Sequence, residues 1–138
     1  MDKKSKFLLL QVNDALFPIG GYSHSYGLET YIQKELVTNA AEAEAYIRNK
    51  LTQNLLYNEL FFCRLAWERA QAQDMEGLQE LEEVLEAGKV PSEIREASKK
   101  MGSRFAKTLK NCGIVYETPV FLRYLEKKKS GSAHHVIA

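Results

Sequence analysis

The most constraining feature of this sequence is a long stretch without the two residues that most strongly interrupt helices. No glycine occurs between Gly27 and Gly77, and no proline occurs between Pro18 and Pro91. The stretch is rich in alanine, glutamate, leucine and glutamine, which favour helix. No segment alternates regularly enough between apolar and polar residues to require a sheet. We therefore predict an all-α helical bundle, with residues 1–138 forming a single domain whose C-terminal part is missing.

Capping signals divide this bundle into helices. Asn39 with Glu42 resembles a capping box and predicts a helix over 40–72, or two helices with a kink near 54–58. One face of that helix should carry an apolar stripe of Ile47, Leu51, Leu55, Phe62 and Ala66. We also assign Phe61, Phe62 and Trp67 to the core rather than to a cofactor site.

Two further helices are predicted on either side of Pro91. Asp74 can cap the first, and Gly88 lies where a left-handed residue would end it. Pro91 can open the second, with Gly113 beyond its end. The predicted apolar stripes are Leu78, Leu81 and Leu85 in the first helix, and Ile94, Ala97, Met101, Phe105 and Leu109 in the second. We expect these helices to pack antiparallel, and a last helix to cover 119–128.

Charge excludes one broad class of function. Nineteen basic and eighteen acidic residues leave a net charge of +1, too balanced for a protein that binds mainly by neutralising phosphates. Nucleic acid is therefore not the expected partner. The charge is uneven, however: residues 1–90 carry a net −5 and residues 91–138 a net +6. The basic run of Arg95, Lys99, Lys100, Arg104 and Lys107 suits either an acidic partner or a solvated helix face.

The ends and the cysteines indicate a cytoplasmic protein. Three lysines precede an apolar run at 7–10, but polar residues follow too soon for a signal peptide or a membrane span. Cys63 and Cys112 lack the spacing of a zinc site or a disulfide framework. Residues 127–133 resemble a linker and 134–138 become apolar again, so we expect the chain to be a fragment with His134 and His135 in a loose tail.

The least ordinary segment is 17–29, which combines one proline, three glycines, two serines, two tyrosines and a histidine. Gly20 and Gly21 permit backbone angles that other residues rarely adopt, and Tyr22 or Ser23 could cap a helix through Leu28. The segment has no GK[ST] phosphate motif and no GxSxG elbow.

Four interpretations of this segment remain open. It could form a tight turn with a buried His24, a hydrolase site with Ser23 or Ser25 beside His24, or a transient metal site at His24. It could also form an adaptable surface that recognises a protein partner.

Two longer stretches resemble the urease accessory protein family UreF. Residues 9–30 (LLQVNDALFPIGGYSHSYGLET) resemble that family's N-terminal signature, and residues 91–105 (PSEIREASKKMGSRF) are similar to its E-[LI]-R-x-A-S-x-x-x-G helix. The resemblance covers essentially the whole chain, although family members continue well beyond a segment similar to 134–138.

The resemblance implies an all-helical cytoplasmic protein that is not an enzyme and carries no cofactor or resident metal. Such proteins assist nickel insertion during urease maturation: they dimerise, bind UreD/UreH, recruit the GTPase UreG and so reach apo-urease. The alternative is a metallochaperone that carries nickel directly through His24 or the terminal histidines. The partner-binding residues implied by the motif positions are Gly20, Gly21, Tyr22, Ser23, His24, Ser25, Gly27, Glu29, Arg95, Ser98 and Gly102. For Gly102 we expect a role in close helix packing.

Overall fold

The computed structural model describes residues 2–21, 27–114, 116, 118–127 and 133–138. Within these ranges every regular element is a helix, which confirms the all-α prediction. In chain order the elements are α1 (Lys3–Val12), α2 (Leu28–Gln33), α3 (Ala40–Asn49), a π-helical segment (Lys50–Leu60), α4 (Phe61–Gln71), α5 (Met75–Gly88), α6 (Ser92–Asn111) and α7 (Val120–Lys127). None of the helices in the described ranges is long and apolar enough to cross a bilayer.

The predicted helix over 40–72 is continuous but changes its winding. The backbone stays right-handed helical at both junctions, Lys50 (φ −61°, ψ −44°) and Phe61 (φ −62°, ψ −49°). Between them the segment is π-helical, with hydrogen bonds that reach one residue further back than in an α-helix. This wider winding rotates the following side chains, so the predicted single stripe is wrong. Phe62 and Ala66 reach the core, whereas Ile47, Leu51 and Leu55 are exposed.

The predicted helix starts are confirmed at two caps. The Asn39 side chain accepts a hydrogen bond from the backbone N–H of Glu42 at 3.0 Å. Glu42 in turn accepts from the backbone N–H of Thr38 at 2.7 Å, one residue earlier than in the usual capping box. Asp74 accepts from the backbone N–H of Gly77 at 2.9 Å, and this bond holds the pKa of the Asp74 carboxyl below its usual value.

Glycines end the next two helices in different ways. Gly88 is the last residue of α5 but keeps a negative φ, so the prediction of a left-handed residue there is wrong. Gly113, just after α6, does adopt the left-handed conformation, with φ +63°.

The core forms where α4, α5, α7 and the segment 133–138 meet. Its buried members are Ala66, Leu78, Leu85, Tyr124, Ala133, Val136 and Ile137. The stripe predicted for α5 is confirmed, with Leu81 partly buried beside Leu78 and Leu85. Residues 133–138 are therefore part of the core, and the expectation of a loose tail is wrong.

Two aromatic residues of α4 do not lie in the core, contrary to prediction. Trp67 is 62% exposed and Phe61 is 49% exposed. The inward face of α4 is set by Phe62 and Ala66, four residues apart, and a residue directly before or after that pair points away from it.

The inward face of α6 also differs from the predicted apolar stripe. Its buried residues are Ser98, Gly102, Ala106 and Leu109, whereas Ile94 is 48% exposed. Small residues occupy this face because another backbone approaches it closely. That backbone belongs to residues 133–135, so α5 and α6 do not pack directly along their length as expected.

Candidate partner-binding site and the histidine cluster behind it

The predicted site residues fall into two described groups and one undescribed group. Tyr22, Ser23, His24 and Ser25 lie outside the described residues. Gly20, Gly21, Gly27 and Glu29 flank them on either side in the sequence. Arg95, Ser98 and Gly102 lie on α6.

The glycine loop, residues 17–21, packs on α6 next to the face that receives residues 133–138. The Phe17 ring meets the Phe105 ring edge-to-face, with centroids 5.9 Å apart. Gly20 has φ +72°, and a Cβ on it would overlap the guanidinium of Arg104. A Cβ on Gly21 would touch the sulfur of Met101 at 3.6 Å. The structure therefore brings the two motif regions together. The backbone angle of Gly20 favours glycine, whereas the Arg104 side chain could move aside for a Cβ.

On the other side of the undescribed residues, Gly27 precedes α2 with φ +97°. A Cβ there would lie 3.2 Å from the Tyr46 hydroxyl, and the Tyr31 and Tyr46 rings lie 5.0 Å apart. Gly27 is the N-cap residue of α2 and has no side chain of its own to cap the helix; the predicted caps Tyr22 and Ser23 lie outside the described residues. Glu29 is exposed in the first turn of that helix. The contacts of Gly27 and Tyr31 with Tyr46 hold the start of α2 against α3.

The inner face of α6 receives the segment 133–138. A Cβ on Gly102 would overlap the carbonyl oxygen of Ala133 and lie 2.6 Å from the backbone nitrogen of His135. The backbone N–H of His135 donates to the carbonyl of Ser98 at 3.3 Å. Gly102 thus permits close packing, as expected, but its neighbour is the 133–135 backbone rather than a helix.

Ser98 lies at the centre of a buried hydrogen-bond network. Its hydroxyl is 2.9 Å from Nδ1 of His134 and 3.0 Å from Nδ1 of His135. Nε2 of His134 is 2.7 Å from Glu86 Oε2, and its backbone N–H lies 3.2 Å from each oxygen of Glu82. Ser98, His134 and Glu82 are 2%, 1% and 3% exposed, so the centre of this histidine cluster is buried, whereas Glu86 and His135 at its edge are partly exposed.

Proton counting assigns the tautomers of the two histidines. A serine hydroxyl has one proton and can therefore donate to one of the two Nδ1 atoms. His134 must carry its proton on Nε2 to donate to the Glu86 carboxylate, so its Nδ1 accepts from Ser98. His135 then donates its Nδ1–H to the Ser98 oxygen. The three side chains form a directed chain of hydrogen bonds that holds 133–135 against α5 and α6.

Charges around the cluster have distinct effects. Burial lowers the pKa of His135, and the positive charge of Lys89 lowers it further. The Glu59 carboxylate opposes this shift, since its Oε2 lies 3.7 Å from Nε2 of His135. Lys89 also pairs with Glu59 Oε1 at 2.7 Å. Burial raises the pKa of Glu86, but hydrogen bonds from Lys99 and His134 outweigh it and leave the pKa below its usual value.

Tyr124 completes the network from α7. Its hydroxyl donates to Glu82 Oε1. Burial, followed by the nearby Glu82 charge, raises the pKa of Tyr124 well above its usual value, so the hydroxyl stays protonated and remains a donor.

Arg95 ties the start of α6 to the end of α5. Its guanidinium donates to the carbonyl of Lys89 at 3.1 Å and pairs with Glu86 at 3.3 Å. Lys99 pairs with the same carboxylate at 3.0 Å. Two ion pairs therefore join the end of α5 to the start of α6. Arg95, Ser98 and Gly102 all have contacts within the chain, and their binding of a partner stays a prediction.

Acidification from pH 7.5 to pH 5.5 is expected to destabilise the chain through His135. Because its pKa is lowered on folding from an ordinary 6.5, the unfolded chain takes up this proton more readily. The stabilisation that neutral His135 gives the folded chain is fully present above pH 6.5 and is lost as the pH falls through the lowered pKa. Urea unfolding at both pH values measures it. His135→Gln does not titrate and should show a smaller change; an equal change in both chains would contradict this role.

The geometry of the cluster resembles a hydrolase triad but cannot act as one. Ser98, His134 and Glu86 follow the order hydroxyl, imidazole, carboxylate. With Ser98 and His134 sealed, no substrate can reach the hydroxyl. A hydrolase site at Ser23 or Ser25 falls on undescribed residues and stays untested.

The transient metal site predicted at His24 lies outside the described ranges. The residues that the structure does describe contain no group of three or more histidine, cysteine or acidic side chains placed to hold an ion. Both ring nitrogens of His134 are engaged in hydrogen bonds.

Sequence reasoning missed the partners of this cluster. The sequence pattern assigns no role to Glu82 or Glu86 beyond their helix, and none to Tyr124 beyond the predicted helix over 119–128. Their contacts span 42 to 52 positions in the sequence, so no local pattern could pair them. The available signal was the return of apolar residues at 136–138, which is typical of a segment that packs into a core.

Comparison with known proteins agrees with the resemblance found in the sequence. Residues 37–138 match the UreF family. The urease accessory protein UreF of Corynebacterium glutamicum (strain R) is 34% identical over 140 residues, covering 100% of this chain and 59% of that protein. The UreF proteins of Bacillus sp. (strain TB-90) and Haemophilus influenzae (strain PittEE) are 34% identical over 126 residues and 40% identical over 114 residues. Those alignments cover 91% and 83% of this chain, and 54% and 47% of the relatives.

These findings identify an all-helical protein related to urease accessory proteins. More particularly, the chain belongs to the UreF family. It spans about half the length of the curated relatives it matches. The family match begins at residue 37, and the alignment with the Corynebacterium protein also covers the glycine loop.

Proposed function

We propose that this chain is a non-enzymatic adaptor or chaperone in the assembly of the nickel-containing active site of urease. In this proposal it acts in the cytoplasm as a homodimer, binds UreD/UreH and the GTPase UreG, and reaches apo-urease through that complex. Membership of the UreF family carries the proposal.

The placement of the glycine loop supports the proposal. Gly20 and Gly21 rest on α6, and Gly21 is exposed. On the adjoining face of that helix, the histidine cluster and Gly102 hold the 133–138 segment in place. The loop therefore packs on a firmly held helix. This limits the conformational entropy that the loop would lose on becoming ordered in a complex. An adaptor of this kind works through differences in affinity between partner states and needs no reacting group of its own.

Replacing Tyr22 is expected to weaken binding to the accessory proteins at least about tenfold, because tyrosines often dominate an interface. The test is a titration of the purified chain with UreD/UreH and with UreG, before and after Tyr22→Ala and His24→Ala. The matched control is Tyr57→Ala, which removes an exposed tyrosine of the π-helical segment. Repeated failure of the parent chain to bind either accessory protein would count against the adaptor role.

Equilibrium dialysis against nickel separates the adaptor from the direct nickel carrier. The adaptor predicts no stoichiometric nickel at micromolar concentration. Stoichiometric binding that is lost with His24→Ala would support the carrier instead.

A further inference from the structure

The basic residues of α6 fall into two groups with different surroundings. Arg95 and Lys99 are half-buried and paired with acidic side chains of the same chain. Four others are exposed, and none has an ion pair in the described part of the chain: Lys100, Arg104, Lys107 and Lys110. We call these four residues the basic ridge.

The basic ridge occupies one side of the helix. Its members follow each other at spacings of four, three and three residues, which keeps them on one face over about 15 Å. Like charges at these spacings repel each other. Glu96, which pairs with Lys99, lies one turn before Lys100 and offsets part of its charge, but no member of the ridge forms an ion pair in the described ranges. The ridge therefore contributes little to the folding of this chain.

The ridge is continuous with the glycine loop. Arg104 is the contact between the two, since its guanidinium lies against Gly20. Next to Phe17, which packs on Phe105, Leu16 is 91% exposed. Charge and apolar surface therefore lie side by side, a combination typical of protein interfaces.

We propose that the basic ridge and the glycine loop form one docking surface, and that its occupant is an acidic surface of a protein partner. This inference rests on the proposed adaptor function and adds the chemistry of the partner. The ridge attracts and orients the acidic partner, and the loop supplies close contacts. The balanced net charge of +1 and the exposed leucine favour a protein over a nucleic acid.

Charge reversal tests the ridge directly. The variant carries Lys100→Glu, Arg104→Glu and Lys107→Glu, and the matched control carries Lys3→Glu, Lys4→Glu and Lys6→Glu on α1, with the same change in net charge. Both are titrated with purified UreD/UreH and UreG at low and high salt. The ridge variant should bind at least about tenfold more weakly at low salt and lose most of the salt dependence, whereas the α1 control should stay within about twofold. Urea unfolding checks that each variant folds, and a milder variant with glutamine at the three ridge positions should show an intermediate loss.

Each other outcome overturns the proposal in a recognisable way. Binding by the parent chain that survives charge reversal overturns the ridge but leaves the adaptor role intact. No binding by the parent chain overturns both. Loss of self-association without loss of partner binding, seen by sedimentation, would assign the surface to a second copy of this chain. Equally tight binding of a short single-stranded RNA would assign it to nucleic acid.

Discussion

Replacing Gly102 with alanine is expected to lower the free energy of unfolding by about 3 kcal/mol. The added Cβ meets backbone atoms of residues 133–135, and backbone cannot move aside as a flexible side chain can. One possible result is an overpacked core. The other is that the segment 133–138 leaves the core and exposes Val136 and Ile137, whose burial stabilises the fold by about 1.5–3 kcal/mol each. Alanine gains about 1 kcal/mol over glycine in a helix interior, which offsets part of the loss. Urea unfolding measures the difference.

Gly88→Ala is the matched control for this prediction. Gly88 is also helical, but a Cβ there meets nothing within 4 Å. Its substitution should leave the free energy of unfolding unchanged or raise it by at most about 1 kcal/mol. Hydrogen exchange of residues 134–138 gives a second readout, since undocking should abolish their protection. Parent-like stability and protection in Gly102→Ala would show that the segment does not pack against α6.

Local signals predicted the helices well because capping acts between neighbours. Asn39 and Asp74 each bond a backbone N–H three residues ahead, so sequence spacing alone identifies them. The π-helical winding of 50–60 has no comparable signal, and it rotates the apolar residues that a regular period places together. The single stripe predicted for 40–72 was wrong for this reason: Phe62 and Ala66 reach the core, but Ile47, Leu51 and Leu55 do not.

The interior of the bundle was harder to predict because it depends on contacts distant in sequence. Ser98 and Gly102 stood out through the family motif, yet their physical role emerges only with residues 133–135 in place. The glycine loop was recognised from composition, and Gly20 does adopt the backbone angle that glycine permits. Its contact with Arg104 joins residues 84 positions apart and has no local signature.

Replacing Glu82 with alanine is expected to lower the free energy of unfolding by about 3 kcal/mol. The carboxylate is 3% exposed and accepts hydrogen bonds from the Tyr124 hydroxyl and the His134 backbone N–H. Its removal leaves two buried donors unpaired, at about 1–3 kcal/mol each, and the relief of a buried charge offsets part of that cost.

Conservative variants separate lost hydrogen bonds from lost shape at Glu82. Glu82→Gln keeps one accepting oxygen and the size of the side chain, so its loss should be about 1.5 kcal/mol. Glu80→Ala, an exposed position on the same helix, should change stability by less than about 0.5 kcal/mol. Combining Glu82→Gln with Tyr124→Phe should cost less than the sum of the two single changes, since both act on one hydrogen bond. Strict additivity of the two changes, or equal losses in the alanine and glutamine variants, would mean that Glu82 does not hold α5, α7 and the 133–138 segment together.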